Sequence, residues 1–451
     1  EPLTAFEVVR VRRMLRGGAD LGAMMTVTTR AEPTEGYPLL DGYGATPSQL
    51  CPDGSTRAAG ARCFHDAYVG AVDGHWRSRD GDYALSGQVV ASLMGPGAPV
   101  TFHDGTEVRA GDVDVGAAAS ATKQGGEHWV GNADYLYEGK KLDFDDLGFM
   151  GRQNQHVSDL GVEYRTLTPW WKTLETHTRL DVLERYNTAG LNLAHSYQLG
   201  TSARFSSFWS TWLAGYWRPA HFDDREVGDG TTLERAGLVG VETSQTTDPR
   251  ARLSMRTWAQ AQALSDGWQV AADVALLWHA LAPLDVELEP EVLFAAGEPR
   301  FAGNGALHGH SVFGNLAARN LGATLRATYT FTPRLTLQAY AQIFVASGHY
   351  TKLAEVSAAA GAKAAVVRLT DLHPVALAPP TNPDFEQAAL NVNLVARWEF
   401  ALGSTLFAVY TRTQVPTVPL SAGEPASLDF GALRRSPTVD AFVLKLSYWW
   451  G

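Results

Sequence analysis

Apolar and polar residues alternate along most of this chain with a period of two. In 390–400, Leu390, Val392, Leu394, Ala396, Trp398 and Phe400 fall on one side, and Asn391, Asn393, Val395, Arg397 and Glu399 on the other. That is the pattern of a strand with one greasy face and one wet face. Leu321, Ala323, Leu325, Ala327, Tyr329 and Phe331 alternate in the same way with Gly322, Thr324, Arg326, Thr328 and Thr330. After the turn Thr332-Pro333-Arg334, Leu335, Leu337, Ala339, Ala341 and Ile343 stand against Thr336, Gln338, Tyr340 and Gln342. The ending "AFVLKLSYWWG" sets Phe442, Leu444, Leu446, Tyr448 and Trp450 opposite Lys445 and Ser447. One such strand would suit a soluble sandwich; it is the repetition along the whole chain that carries the argument.

The pattern predicts strands near 5–14, 20–30, 65–78, 82–94, 112–123, 127–138, 155–166, 176–187, 191–199, 203–217, 235–247, 251–264, 268–278, 284–294, 319–331, 335–346, 389–402, 404–414 and 440–450. Short links such as 16–19, 79–82, 124–127, 200–202, 247–250, 280–284, 332–334 and 403–404 alternate with long ones at 31–64, 95–111, 139–154, 218–234, 295–318, 347–388 and 415–439. Two shorter links, 188–190 and 265–267, break the alternation. The alanine-rich stretch 354–369 is the best helix former, but Gly361 interrupts it and it reads as part of a loop. The predicted fold class is therefore all-β: a large antiparallel transmembrane β-barrel of about 18–20 strands, with short periplasmic turns and long extracellular loops, in one domain over 1–451. Bacterial single-chain barrels have even strand numbers, so an odd count points to one further strand, which the reading places upstream of Glu1.

Tryptophans sharpen the membrane reading. Trp170, Trp171, Trp209, Trp212, Trp217, Trp258, Trp268, Trp278, Trp398, Trp449 and Trp450 lie at or near strand ends, where amphipathic rings anchor at a bilayer interface. The apolar face then meets lipid and the polar one a lumen. Lumen candidates are Arg10, Arg12, Arg179, Asp181, Arg256, Asp273, Arg326, Gln338, Gln342, Asn391, Asn393, Arg397, Glu399 and Lys445. A cylinder of twenty strands has a backbone diameter of roughly 40 Å, too wide for side chains to fill, so water, infolded loops or a plug must occupy it. The longest loops, 31–64 and 347–388, are the expected infolding segments.

Composition excludes several alternatives. With 451 residues, a net charge of −11 and two cysteines, the chain is neither a small stapled scaffold nor a basic nucleic-acid binder. No run of 18 uninterrupted apolar residues offers a helical membrane span. Cys51 and Cys63 bracket "PDGSTRAAGAR" at a spacing that suits a loop-closing disulfide and no zinc pattern, which points to an oxidising compartment.

Covalent chemistry finds no footing: there is no HExxH, Gly-x-Ser-x-Gly, phosphate loop or dinucleotide fingerprint, so no catalytic residue, cofactor or metal ligand is assigned and the chain reads as a non-enzyme. "HGH" (308–310) reads as solvated loop histidine. "DFDD" (143–146) and "HFDDR" (221–225) read as solvated loop charge rather than calcium ligands, because no Asp-x-Asp-x-Asp-Gly pattern follows.

The stretches "NPDFEQAALNVNLVARWEFALGSTLFAVYTRTQ" (382–414), "YTFTPRLTLQAYAQIFVASGHYTKLAEV" (329–356), "DLGFMGR" (146–152), "VVRVRR" (8–13) and "FVLKLSYWWG" resemble a bacterial outer-membrane β-barrel family of unknown function. Its members commonly carry the barrel behind an N-terminal carbohydrate-binding-type module, and the module and opening strand that precede "VVRVRR" in them are not in this sequence. The resemblance implies a bacterial outer-membrane location but carries over no catalytic residues.

The expected function is an outer-membrane channel or translocation pore for a solute or polymer, a saccharide being one candidate, gated by infolded loops or by a plug or accessory subunit. Lipid and lipopolysaccharide are the expected surroundings, and nucleic acid is not an expected partner. A non-conducting structural or docking barrel is the second expectation, and a barrel-embedded hydrolase the third.

Overall fold

The computed structural model describes residues 2–450 apart from 34–35, 41–46, 305–309, 358–365, 376–378, 380 and 422. The period-two segments fold into one 20-stranded antiparallel sheet. One member is the two-residue strand His373–Pro374; the others, numbered here in chain order, are long. They are β1 (Leu3–Met14), β2 (Ala19–Ala31), β3 (Ala67–Arg77), β4 (Tyr83–Met94), β5 (Val113–Lys123), β6 (Trp129–Glu138) and β7 (Gln155–Thr166). Then follow β8 (Thr173–Tyr186), β9 (Asn192–Phe205), β10 (Ser210–Arg218), β11 (Leu238–Thr246), β12 (Leu253–Leu264) and β13 (Gly267–Leu281). The last are β14 (Leu284–Asn304), β15 (His310–Thr332), β16 (Leu335–Ser357), β17 (Phe385–Ala401), β18 (Ser404–Gln414) and β19 (Val439–Ser447).

Each long strand pairs with the next in sequence, always antiparallel, so the sheet is a continuous meander from β1 to β19. Most tight links gather at one end, here the short-turn end; the connections 32–66, 95–112, 139–154, 219–237, 358–384 and 415–438 gather at the other, the loop end, together with the short links 187–191 and 265–266.

Three details depart from the sequence reading. Gly200-Thr201-Ser202 is inside β9, and the turn falls at 206–209, where Phe208 takes the left-handed conformation at φ 62°. The segment 295–318 is mostly strand, because β14 and β15 run on past the sheet's middle and leave only 305–309 between them. Within 415–439 lies a one-turn helix, α1 (Gly431–Arg435), whose Ala432 and Leu433 pack on Val345 and Ala388.

In the connection between β2 and β3, Cys51 and Cys63 form a disulfide with Cα atoms 5.6 Å apart, within the ordinary range for such a bridge. Both sulfurs are buried beside Gln49, whose side-chain N–H groups donate to the Ala61 carbonyl at 2.7 Å.

Candidate functional site

Residues directly opposite each other in neighbouring strands project from the same face, so the pairing registers carry one face across the whole sheet. Arg10 faces Met24, Met24 faces Ala71, Ala71 faces Val90 and Val90 faces Gly116. Followed to β19, this face takes in every one of Arg10, Arg12, Arg179, Asp181, Arg256, Asp273, Arg326, Gln338, Gln342, Asn391, Asn393, Arg397, Glu399 and Lys445. The opposite face reads Val72 and Val89 on β3 and β4, Leu160 and Val182 on β7 and β8, Val270 and Val274 on β13, and Leu394 and Leu444 on β17 and β19. The ladders hold these polar side chains on one side of the sheet.

Two charged groups stand out on the polar face. On β1–β3, Arg12 grips Asp20 with two bonds of 2.9 and 2.7 Å, Arg10 grips Asp73, and His75 Nδ1 lies 3.2 Å from Asp20. Arg10 reaches Asp73 across β2 because the intervening residue is Gly22: a Cβ there would lie 2.5 Å from Arg10 Nη2 and 2.8 Å from Asp73 Oδ2. Farther round, Gly161 gives the same passage to Arg179, which donates to Asp181 at 2.6 Å and to Asn132 at 2.5 Å. A recess of about 530 Å³ extends from Arg10 and His75 to Asp134 and Asp159.

Asp20, Asp73 and His75 place ligand-type atoms within 4.8 Å of one another. Arginines already neutralise both carboxylates, so the donor set is that of an ion-pair network rather than of a cation cage.

The second group lies on β12–β15. Arg326 donates to Glu289 at 3.0 Å and to Glu287 at 3.3 Å, and Arg256 donates to Glu289 at 3.1 Å. Trp258 gives its indole N–H to Glu242 at 2.7 Å. Arg256, Trp258 and Glu289, with Asp273, line a recess of about 590 Å³. On β16–β19 the wall is milder: Gln342 faces Asn391, Tyr340 faces Asn393, Lys445 faces Phe407, and Arg397 reaches Glu399 at 3.5 Å.

The sequence reading missed what lies over this face at the loop end. The connection 139–154 folds back onto it. Leu142, fully buried, covers Gly116, where a Cβ would meet its Cδ2 at 2.8 Å, and the Asp143 N–H donates to Ser92 Oγ at 3.0 Å. Phe144, Leu147 and Gly148 face Thr26, Val69 and Gln88 of the polar face across a small cavity. Asp146 accepts from Arg30, and His65 Nε2 lies 3.1 Å from it.

"DFDD" is thus no solvated charge run. Burial alone would raise the Asp146 carboxyl, but the bonds to His65 and Arg30 outweigh it and hold the group below the usual carboxylate range. Asp143 has no such partner: burial pushes its carboxyl up against the opposing bond from the Asp145 N–H.

"HFDDR" is corrected in the same way. Asp224 is buried, and one Nη of Arg152 donates to both of its oxygens at 2.6 Å. Arg225 donates to the Gly151 carbonyl, and Glu226 accepts from Arg300 at 2.8 Å and from Arg235.

The connection 219–237 in turn meets 358–384 through a parallel pairing of Thr232 and Leu233 with Val366 and Val367. Leu233, Phe313 and Val367 form a buried apolar knot there. Of the two segments expected to fold in, 347–388 joins this knot, and no described residue of 31–64 takes part in it. His308 lies outside the described residues.

A family profile described as "Domain of unknown function (DUF5916)" matches residues 56–450, and the chain belongs to that family. No curated protein matches the sequence. The stretch "DLGFMGR" falls in the infolded connection, from the ion-paired Asp146 to the Arg152 that grips Asp224.

Proposed function

We propose that this member of the family is a large β-barrel of the bacterial outer membrane whose polar face bounds a channel or translocation pore. One observation carries the reading most directly. The apolar side of β13 runs Trp268, Val270, Ala272, Val274, Leu276, Trp278, with an aromatic residue at each end. Ten residues of strand extend about 33 Å, and at a tilt of about 40° they rise about 25 Å, the height of the lipid-facing band in such barrels. The polar side of the same strand offers Gln269, Asp273 and His279, which hydrocarbon would penalise and water would not.

Selection would be physical, by width and by the fixed charges, with no covalent step. The groups at Arg10–Asp73–Asp20–Arg12 and Arg256–Glu289–Arg326 supply both signs, and the infolded connection 139–154 narrows the path at the loop end. Solutes or polymers are the cargo class. A saccharide is the first to try, because the family resemblance associates such barrels with carbohydrate-binding-type modules.

A specific observation favours a second reading, a barrel that docks an assembly and conducts nothing: the loop-end connections are tied to one another by Arg152–Asp224, by the pairing of Thr232 and Leu233 with Val366 and Val367, and by the knot at Leu233. The discriminating experiment is single-channel recording of the detergent-purified protein in a planar bilayer, before and after reduction of Cys51–Cys63. Steady conductance steps support the pore, whereas silence in both states puts the docking barrel first.

A further inference from the structure

The chain covers one part of its own apolar face. Val345 on β16 and Ala388 on β17 stand directly opposite each other, on the same side of the sheet as Leu394. That face is exposed at Val72, Leu160 and Val270, yet Val345 and Ala388 are buried. The connection between β18 and β19 buries them: Ala432 and Leu433 of α1 pack there, with Val418 and Leu428 of the same connection alongside. Gln414 pins α1 to the wall by donating to the Leu433 carbonyl at 3.3 Å and to the Thr438 hydroxyl at 3.1 Å.

The depth of this cover follows from the strand. Trp398, half exposed, marks the short-turn border of the apolar band on β17. Ala388 lies ten residues farther along, and ten residues of tilted strand rise about 25 Å, the full height of a lipid-facing band. In the membrane reading, α1 therefore sits where hydrocarbon gives way to headgroups at the loop end.

Beside α1 a recess of about 530 Å³ opens on this face. Ile343, Leu390 and Gln414 line it from the wall, and Phe430, Leu433 and Arg434 from the connection. Ile343 and Leu390 oppose each other two residues nearer the middle of the band than Val345 and Ala388, so the recess leads down into hydrocarbon. The carboxylates around it are already engaged. Asp429 accepts from the Gly431 N–H at 2.7 Å and from Arg435 at 2.5 Å, and Asp440 accepts from Arg412 and from the Tyr410 hydroxyl, both at 2.8 Å. Arg434 is exposed and has no hydrogen-bond or ion-pair partner among the described residues. An apolar notch thus carries one uncompensated guanidinium at headgroup level, which complements an acyl chain bearing a phosphate.

We propose that this recess holds one lipid of the outer leaflet, the phosphorylated and acylated glucosamine anchor of lipopolysaccharide, with an acyl chain along Ile343 and Leu390 and a phosphate on Arg434. The leaflet selects the source: long loops of such barrels lie on the extracellular side, so α1 meets lipopolysaccharide and not the phospholipid of the opposite leaflet. The inference rests on the membrane reading given above, specifically on which face meets lipid, and is independent of conduction.

The test is native mass spectrometry of the whole protein, extracted from its outer membranes in mild detergent and titrated with bisphosphorylated lipid A. One lipid A is expected to stay bound per barrel. Arg434→Glu should weaken retention by about tenfold or more, the size of a lost charge-assisted phosphate contact, and Arg434→Lys should recover part of it. Arg13→Glu, exposed on the apolar side at the short-turn end, should change nothing. Lipid A stripped of both phosphates should bind the wild type as weakly as the intact lipid binds Arg434→Glu. Equal retention by the wild type and Arg434→Glu overturns the proposal, and so does equal affinity of the wild type for phosphatidylglycerol.

Lipid A with a photoreactive acyl chain, used on the unaltered protein, reads the position independently of any variant. Adducts on peptides containing Ile343, Leu390 or Phe430 support the site, and adducts confined to other strands overturn it. Silence in planar bilayers together with retained lipid A would remove the pore and keep the lipid site. Steady conductance with no difference between the wild type and Arg434→Glu would keep the pore and remove the lipid site. A protein that stays in solution without detergent would overturn both.

Discussion

At Gly22 a missing side chain decides where a charge goes. Arg10 and Asp73 belong to strands separated by β2, and their guanidinium–carboxylate contact lies where a Cβ on Gly22 would stand. Gly22→Val is expected to overpack this spot by about 1–3 kcal/mol, with Gly22→Ala costing less; the order should appear in urea unfolding midpoints, and an unchanged midpoint for the valine variant would rule out the bridging role. Arg10→Ala acts on charge instead. It leaves the Asp73 carboxylate without its cation, so the permeability ratio of potassium to chloride, read from reversal potentials in asymmetric salt, should rise.

Among the connecting elements, 139–154 carries two acids with opposite behaviour. Asp146 has its carboxyl held low by His65 and Arg30, so its contribution to docking is complete above about pH 4 and is lost as the pH falls through its depressed value. Burial raises Asp143, whose contribution therefore runs the other way: it is present in acid and lost as the pH rises through the elevated value. Asp146→Asn should loosen the connection and Asp143→Asn should tighten it at neutral pH. Chymotryptic nicking after the exposed Phe149 measures both, and equal nicking rates in the two variants would refute the assignment. Leu142→Ala removes the fully buried contact over Gly116 and is expected to cost about 2–5 kcal/mol of docking, with faster nicking and larger conductance.

The long strands were legible at this scale because period-two alternation is a local property of the sequence. The turn after β9 was not, since its residues Ser206–Trp209 include no glycine or proline, whereas Gly200 looked like a turn and instead makes room on the polar face for the Trp212 indole, 3.2 Å from where its Cβ would be. The infolding of 139–154 was hidden for a different reason. Its acids are answered by Arg30, and its own Arg152 answers Asp224, partners 116 and 72 residues away in the chain that no local pattern reveals.

For the whole molecule, the assignment of lipid and lumen rests on which face tolerates charge, and two adjacent residues of β17 decide it. Leu394 lies on the apolar face opposite Ala339 and Tyr410, four residues from the interfacial Trp398; Asn393 points to the polar face opposite Tyr340 and Thr411. Four residues of tilted strand rise about 10 Å, which places Leu394 near the middle of the apolar band. Leu394→Arg should then cost about 2–4 kcal/mol in a bilayer, as a cation near the midplane does, and reduce the heat-modifiable folded fraction on cold electrophoresis. Asn393→Arg should leave folding unchanged and alter ion selectivity. In a soluble sheet with its core on the apolar side, Leu394→Arg would also be harmful, but Asn393→Arg would leave no electrical trace and the wild type would remain in solution without detergent. The pair therefore tests the membrane, the handedness of the faces and the lumen together, because only a barrel with water inside and lipid outside yields a folding defect at one residue and a conductance change at its neighbour.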